Sequence, residues 1–269
     1  MLLKTEKKPK LLNTEKEPRV VAIACADLHL CHTPPTARSA EKDWYKTMER
    51  YLDQLDDIAR FANGPTLVPL PIICAGDVFD DGWRPNKHPP ELTNFALRNL
   101  PQMYAIPGQH DLKFHALQAI YKSAYWTLVE AGKICDLPPG KPAVIGDLRL
   151  HGFPWGSEIT PLASPHDLIS LEIAVVHAYT WISATGYHGA PEDQKVKAYA
   201  SKLAGYQLAI FGDNHTPFKA ITSQNTYVFN VGGFMRRRMD EVDHQPSVGL
   251  IMSNGTVKRK YLDVSQDKF

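Results

Sequence analysis

The chain has 269 residues, of which 43% are hydrophobic and 22% charged, the balance of a soluble protein with a sizeable core. A formal net charge of +1 excludes a global field that would recruit nucleic acid or membrane, so any attraction for a polyanion must be local. The four cysteines fall at Cys25, Cys31, Cys74 and Cys135, with no CxxC spacing and no disulfide framework. Cys25 and Cys74 sit inside apolar runs, where cysteine behaves as a small hydrophobe, and Cys31 and Cys135 are expected in loops. Cys31 beside His32 lacks the second ligand pair that a zinc site needs.

The first residues, 1–18, form a lysine- and glutamate-rich leader expected to fray, and 19–269 read as a single domain. The leader has no apolar core of a secretory signal, and no stretch approaches the roughly 18 apolar residues of a membrane span. The expectation is a cytoplasmic chain with no membrane partner.

From there, strands are expected at Val20–Ala26, Leu70–Ala75, Gln102–Ile106, Leu148–Phe153, Leu171–His177, Tyr206–Phe211, Thr226–Val231 and Val248–Met252. Most are continuous apolar runs bounded by turn residues, the pattern of strands buried on both faces. Between them, Trp44, Met48, Tyr51, Leu52, Leu55, Ile58 and Ala59 make an apolar stripe at helical spacing over Trp44–Phe61. Further helices are expected at Glu91–Asn99, Leu112–Glu130 and Gln194–Leu203. Strands alternating with helices, and a strand-rich last third, predict a layered α/β fold.

Chemistry collects where these strands end. The first runs into Ala26-Asp27-Leu28-His29, and an extended backbone would point Asp27 and His29 the same way. The second runs into Gly76-Asp77-Val78-Phe79-Asp80 and the third into Pro107-Gly108-Gln109-His110-Asp111. A later strand ends on His177, and another runs into Gly212-Asp213-Asn214-His215. Singly these carry little: a histidine in an apolar strand is commonly a core residue, and Gly-Asp is commonly a turn. Together, five strand ends deliver imidazole, carboxylate or amide groups to the side of an α/β sheet where ligands bind.

The ordered set resembles the calcineurin-like metallophosphoesterase superfamily, whose pattern is Asp-x-His, Gly-Asp-x-x-Asp, Gly-Asn-His-Asp/Glu, a lone His and Gly-His-x-His. The match spans Asp27 to His215, roughly two-thirds of the chain. Gln109 stands where the family has Asn, and Asp213 where it has the first His of the last motif. The resemblance implies a sandwich of two mixed β-sheets flanked by helices, and hydrolysis of phosphate esters by two divalent ions. It implies one ion on Asp27, His29, Asp77 and His215, and the other on Asp77, Gln109, His177 and Asp213. A bridging carboxylate holds such ions about 3.5–4 Å apart, polarising the phosphate and acidifying the attacking water. His110 would stabilise the transition-state phosphate or protonate the leaving oxygen, oriented by Asp111. Asp80 would support the loop or His110. The carboxylate-weighted second set suits manganese or magnesium better than zinc, with manganese expected to activate best.

Within the superfamily, Gly152-Phe153-Pro154-Trp155-Gly156 and Asn230-Val231-Gly232-Gly233-Phe234-Met235-Arg236 resemble segments of the SbcD-type subunits of double-strand-break repair nucleases and their phage relatives. That likeness implies DNA as substrate, cut as an exo- or endonuclease, with a partner ATPase and a homodimer as partners. Arg236, Arg237 and Arg238 would clamp backbone phosphates, and Trp83, Trp155, Tyr187 and His188 would stack bases. The rival readings are a small-molecule phosphodiesterase or phosphomonoesterase with the same centre, and a scaffold that has lost activity through its two altered positions.

Overall fold

The computed structural model describes residues 18–64, 67–163 and 170–269; most of the leader, 1–17, lies outside them. Among the described residues, twelve strands form two six-stranded mixed sheets. The first sheet is built from β1 (Val20–Cys25), β2 (Ile72–Cys74), β3 (Met103–Ala105), β4 (Ile134–Asp136), β11 (Ser247–Met252) and β12 (Val257–Tyr261), in the order β12-β11-β1-β2-β3-β4. The second contains β5 (Ala143–Ile145), β6 (Leu148–Phe153), β7 (Leu171–His177), β8 (Leu208–Gly212), β9 (Phe218–Ile221) and β10 (Tyr227–Asn230), in the order β5-β6-β7-β8-β10-β9. Strands β1 to β4 run parallel, as do β6, β7, β8 and β10, so their carboxyl ends emerge together.

Alternation along the strands builds three layers of core. On β1, Ala22 and Ala24 face the other sheet, where they meet Ile173, Val175, Leu208 and Ile210, while Ile23 and Cys25 face the helices. Small residues at Ala22, Ala24, Ala26 and Ala75 let the two sheets approach closely, which draws their carboxyl ends into one crevice. The outer face of the first sheet is covered by α1 (Trp44–Phe61), α2 (Pro90–Asn99) and α3 (Ala124–Glu130). Helix α1 occupies the expected span, capped by Asp43, whose side chain accepts from the Lys46 N–H at 3.1 Å.

Three expectations are corrected. Leu112–Glu130 is not one helix: Phe114 and His115 take left-handed φ of 57° and 56°, and 3₁₀ turns at Lys113–His115 and Leu117–Lys122 precede α3. The bend brings His115 back onto the Gln109 carbonyl at 3.1 Å, and the Ser123 side chain restarts the helix by accepting from the Trp126 N–H. Gln194–Leu203 is likewise broken into short 3₁₀ turns, because Lys195 is extended and pairs with Trp181. Cys135 lies in strand β4, not in a loop, and all four cysteines are free. No helix among the described residues is long and apolar enough to cross a membrane.

Candidate metal centre

The crevice at the strand ends gathers every metal-ligating residue expected from the sequence. The loops after β1 and β2 run alongside each other, with the His29 N–H donating to the Asp77 carbonyl at 2.9 Å and that of Leu30 to Val78 at 2.9 Å. Asp27 and His29 converge, though not by strand alternation. Strand β1 stops at Cys25, and Asp27, His29, Asp77 and Asp213 adopt left-handed φ of 54°, 46°, 52° and 80°. Such conformations cost of order 1–3 kcal/mol each for residues with a Cβ and persist where the surrounding structure over-determines them. Four at one crevice mark a site built for something other than stability.

On one side, the Asp27 carboxylate accepts the Asp213 N–H at 3.0 and 3.1 Å, and His29 Nε2 lies 3.1 Å from His215 Nε2. On the other, the Gln109 amide nitrogen donates to Asp213 at 2.7 Å, while its oxygen meets His177 Nε2 at 2.7 Å. Asp77 sits between them, 3.8 Å from His29 Nε2 and 3.3 Å from His177 Nε2. The Ala75 carbonyl accepts from His177 Nδ1 at 2.6 Å, fixing the tautomer and aiming Nε2 into the crevice.

These residues fit a pair of cations. Asp77 Oδ2, which lies between His29 Nε2 and His177 Nε2, is buried without any hydrogen-bond partner, a costly state in an apolar interior. Asp27, His29 and His215 form one convergent donor group, and Asp27, Asp77 and His177 another. Two glycines make room for them: a Cβ at Gly76, where φ is 99°, would collide with the His177 ring, and one at Gly108 would collide with the Asp77 carboxylate. Burial, reinforced by the Arg237 charge, drives His29 down to about 3, so it stays neutral as a ligand must. Burial raises Asp27 to about 6. Burial would lower His177, yet the Asp77 carboxylate overrides it and raises the group to about 10.

A third convergent group joins His29, Asp80 and His110. It is the poorer cation site, because Arg237 already pairs with Asp80 Oδ2 at 2.9 Å and a guanidinium repels a dication. His110 is oriented by the backbone: its Nδ1 donates to the Asp80 carbonyl at 2.7 Å, leaving Nε2 uncommitted. The contact of Asp80 with His110 is through its main chain, and its carboxylate turns to His29 and Arg237.

Asp111 does not orient His110, contrary to expectation. Fully buried, its carboxylate accepts the N–H groups of Val78, Phe79 and Gly108 at 3.1, 2.9 and 3.0 Å, stapling the second loop to the third. The arginine run also divides. Arg236 is buried and bonds Asp267 at 2.9 Å and the carbonyls of Val242 and Val264, so it is a structural residue and not a phosphate clamp. Arg237 and Arg238 line the cleft above the donors. That cleft, about 1420 Å³, is also bordered by Tyr179, Tyr187 and Glu241. Tyr187 is 58% exposed on its wall. Trp155 instead lies behind His177 at 6.4 Å between ring centres, and Trp83 packs on Phe114, so neither borders the cleft, nor does His188. Sequence reasoning missed Asn214, whose carbonyl accepts from Asn230, and Glu241, which carries no motif.

Carboxylates and imidazoles converging between two sheets are the mark of a metal-binding hydrolase. The profile of the calcineurin-like phosphoesterase family matches residues 21–217, and the chain belongs to that family. The family hydrolyses phosphate esters with a binuclear divalent metal centre, to which the donor groups here correspond. No curated protein matches the sequence significantly. Among solved structures, the Thermus thermophilus sulfate thiohydrolase SoxB in complex with glycerol is similar at a TM-score of 0.51 and 11% identity, over 93% of this chain and 58% of that one. A 5′-nucleotidase precursor, also from Thermus thermophilus, aligns at 0.49 and 13%, over 90% of this chain and 54% of that one. The Haemophilus influenzae NAD nucleotidase aligns at 0.45 and 12%, over 89% and 48%. The chain spans about half the length of these three proteins, and the likeness to the thiohydrolase is one of fold.

Proposed function

We propose that the protein cleaves phosphodiester bonds in a nucleic-acid strand, with manganese as the preferred ion. The observation that carries this reading is the cleft, whose roughly 1420 Å³ exceeds the ~300–1,000 Å³ of small-molecule sites. Its walls offer an exposed tyrosine ring at Tyr187 and a cationic side chain at Arg238, the two elements of sequence-tolerant strand binding.

Asp27, His29, Asp77 and His215 would hold one ion, and Asp77, Gln109, His177 and Asp213 the other. Two such ions polarise the phosphoryl group and supply a nucleophile at neutral pH. The chain's own residues do the rest. His110, locked by the Asp80 carbonyl, keeps Nε2 free to hold a proton for the departing oxygen. Arg238 draws the adjacent backbone phosphate to the wall. A buried unpartnered carboxylate oxygen and four left-handed backbones count against an inactive scaffold.

A second reading, hydrolysis of a nucleotide-sized ester, is favoured by one observation: Arg236 is tied to Asp267 and Arg237 to Asp80, which leaves Arg238 as the uncommitted cation of the run. Incubating the protein in manganese with single-stranded DNA, duplex DNA, cyclic nucleotides and a chromogenic diester separates the two. Cleavage of DNA in preference to the small esters is expected. Turnover of the small esters with DNA left intact would replace the first reading with the second.

A further inference from the structure

Glu241 lies beyond the residues that the family profile matches, in a 3₁₀ turn at Met239–Glu241 on the cleft wall. Its two carboxylate oxygens face different partners. Oε1 is 3.5 Å from His215 Nδ1, on the side of that ring away from His29. Oε2 accepts the backbone N–H groups of Arg237 at 2.6 Å and Arg238 at 3.1 Å. One side chain thus touches a metal-ligand histidine and the turn that presents both arginines to the cleft.

We infer that Glu241 is a positioning residue that couples the first metal site to the phosphate-binding wall. A ligand histidine whose second nitrogen meets a carboxylate is held in one tautomer and ring orientation, and becomes a more basic ligand. With Nδ1–H turned to Glu241, His215 presents the lone pair of Nε2 beside His29. The other oxygen fixes the turn after Arg236, so Arg237 stands in reach of Asp80 and Arg238 over the cleft. A glutamine cannot serve both ends, because its amide has a single acceptor oxygen for two jobs. The inference rests on His215 being a metal ligand.

The test compares wild type, Glu241→Gln, Glu241→Ala and His215→Ala, each prepared metal-free and shown folded by circular dichroism. Manganese affinity is read by calorimetry, and KM and kcat on a phosphodiester are measured at saturating manganese. Glu241→Gln is expected to weaken manganese binding by roughly 10–100-fold, the usual effect of losing an outer partner of a ligand. With metal restored it should raise KM more than it lowers kcat, a split that a merely structural residue would not produce. Should Glu241→Ala fail to fold, Glu241→Gln decides. Wild-type manganese affinity in Glu241→Gln alongside lost affinity in His215→Ala would overturn the role of Glu241 alone. Wild-type affinity in His215→Ala would overturn the metal assignment beneath it.

Discussion

The two halves of the candidate metal centre differ in one residue type, the Gln109 amide of the second standing where the first has an imidazole, and in how their donors are satisfied. Around Asp27, His29 and His215, two imidazole nitrogens face each other at 3.1 Å, and Asp77 Oδ2, shared with the other half, has no hydrogen-bond partner. Around His177 and Asp213, Gln109 hydrogen-bonds to both at 2.7 Å, so the donors satisfy one another. A cation entering the first half displaces one contact, that between the two imidazoles. In the second half it must first break two hydrogen bonds, each of which contributes about 0.5–1.5 kcal/mol. The lesson is that residue type sets which ion a site can hold, whereas local pairing sets how tightly. The first half is expected to bind manganese more tightly than the second.

Asp77→Ala breaks the comparison altogether, since both halves share that carboxylate. Metal content measured by elemental analysis should fall to background, and turnover to that of chelator-treated wild type; retained turnover would refute a bridging Asp77. His110→Ala touches neither half. It should keep both ions and lose roughly 10²–10⁴-fold in kcat. Metal loss in that variant would make His110 a ligand of the His29–Asp80 group instead.

Asp213→His sharpens the contrast. It removes a carboxylate from the second half alone, so the weaker of two binding events in a calorimetric titration should move from manganese towards zinc or cobalt, the tighter event staying put. A shift in the tighter event would place Asp213 in the wrong half. The smallest effect is expected of Arg238→Ala, at the rim. Cleavage of single-stranded DNA should lose about 0.7 from the slope of log affinity against log salt, the share of one phosphate contact. Hydrolysis of a chromogenic diester should hardly change. An unaltered salt slope would return Arg238 to the solvated surface.

What was legible in the sequence follows the same logic of burial. The eight strands expected from apolar runs are the interior strands of the two sheets. The four not anticipated, β4, β5, β9 and β12, are their four edges. Interior strands must be apolar on both faces, which leaves a continuous signal. Edge strands such as Val257–Tyr261, with its sequence VKRKY, carry charges that protect an open edge and erase that signal. Helix α1 was legible because one face meets the core over its whole length, whereas the apolar spacing in Leu112–Glu130 hid a chain that turns at Phe114 and His115.

The sequence by itself determined the donor set: imidazoles, carboxylates and one amide, all groups able to ligate a cation, follow the ends of parallel strands whatever the packing. Only the tertiary structure decided their roles. Asp111 could be read as a partner of His110 until three N–H groups were found around its carboxylate. Arg236, Arg237 and Arg238 are chemically alike in sequence. Asp267 buries the first, Asp80 pairs with the second, and the third stays exposed on the cleft. Glu241 acquires its place only when the wall folds over His215, 26 residues earlier in the chain. Ligand identity is written locally, in the side chain; hydrogen-bond partnership is a property of residues far apart in sequence, and folding alone brings them within 3 to 4 Å.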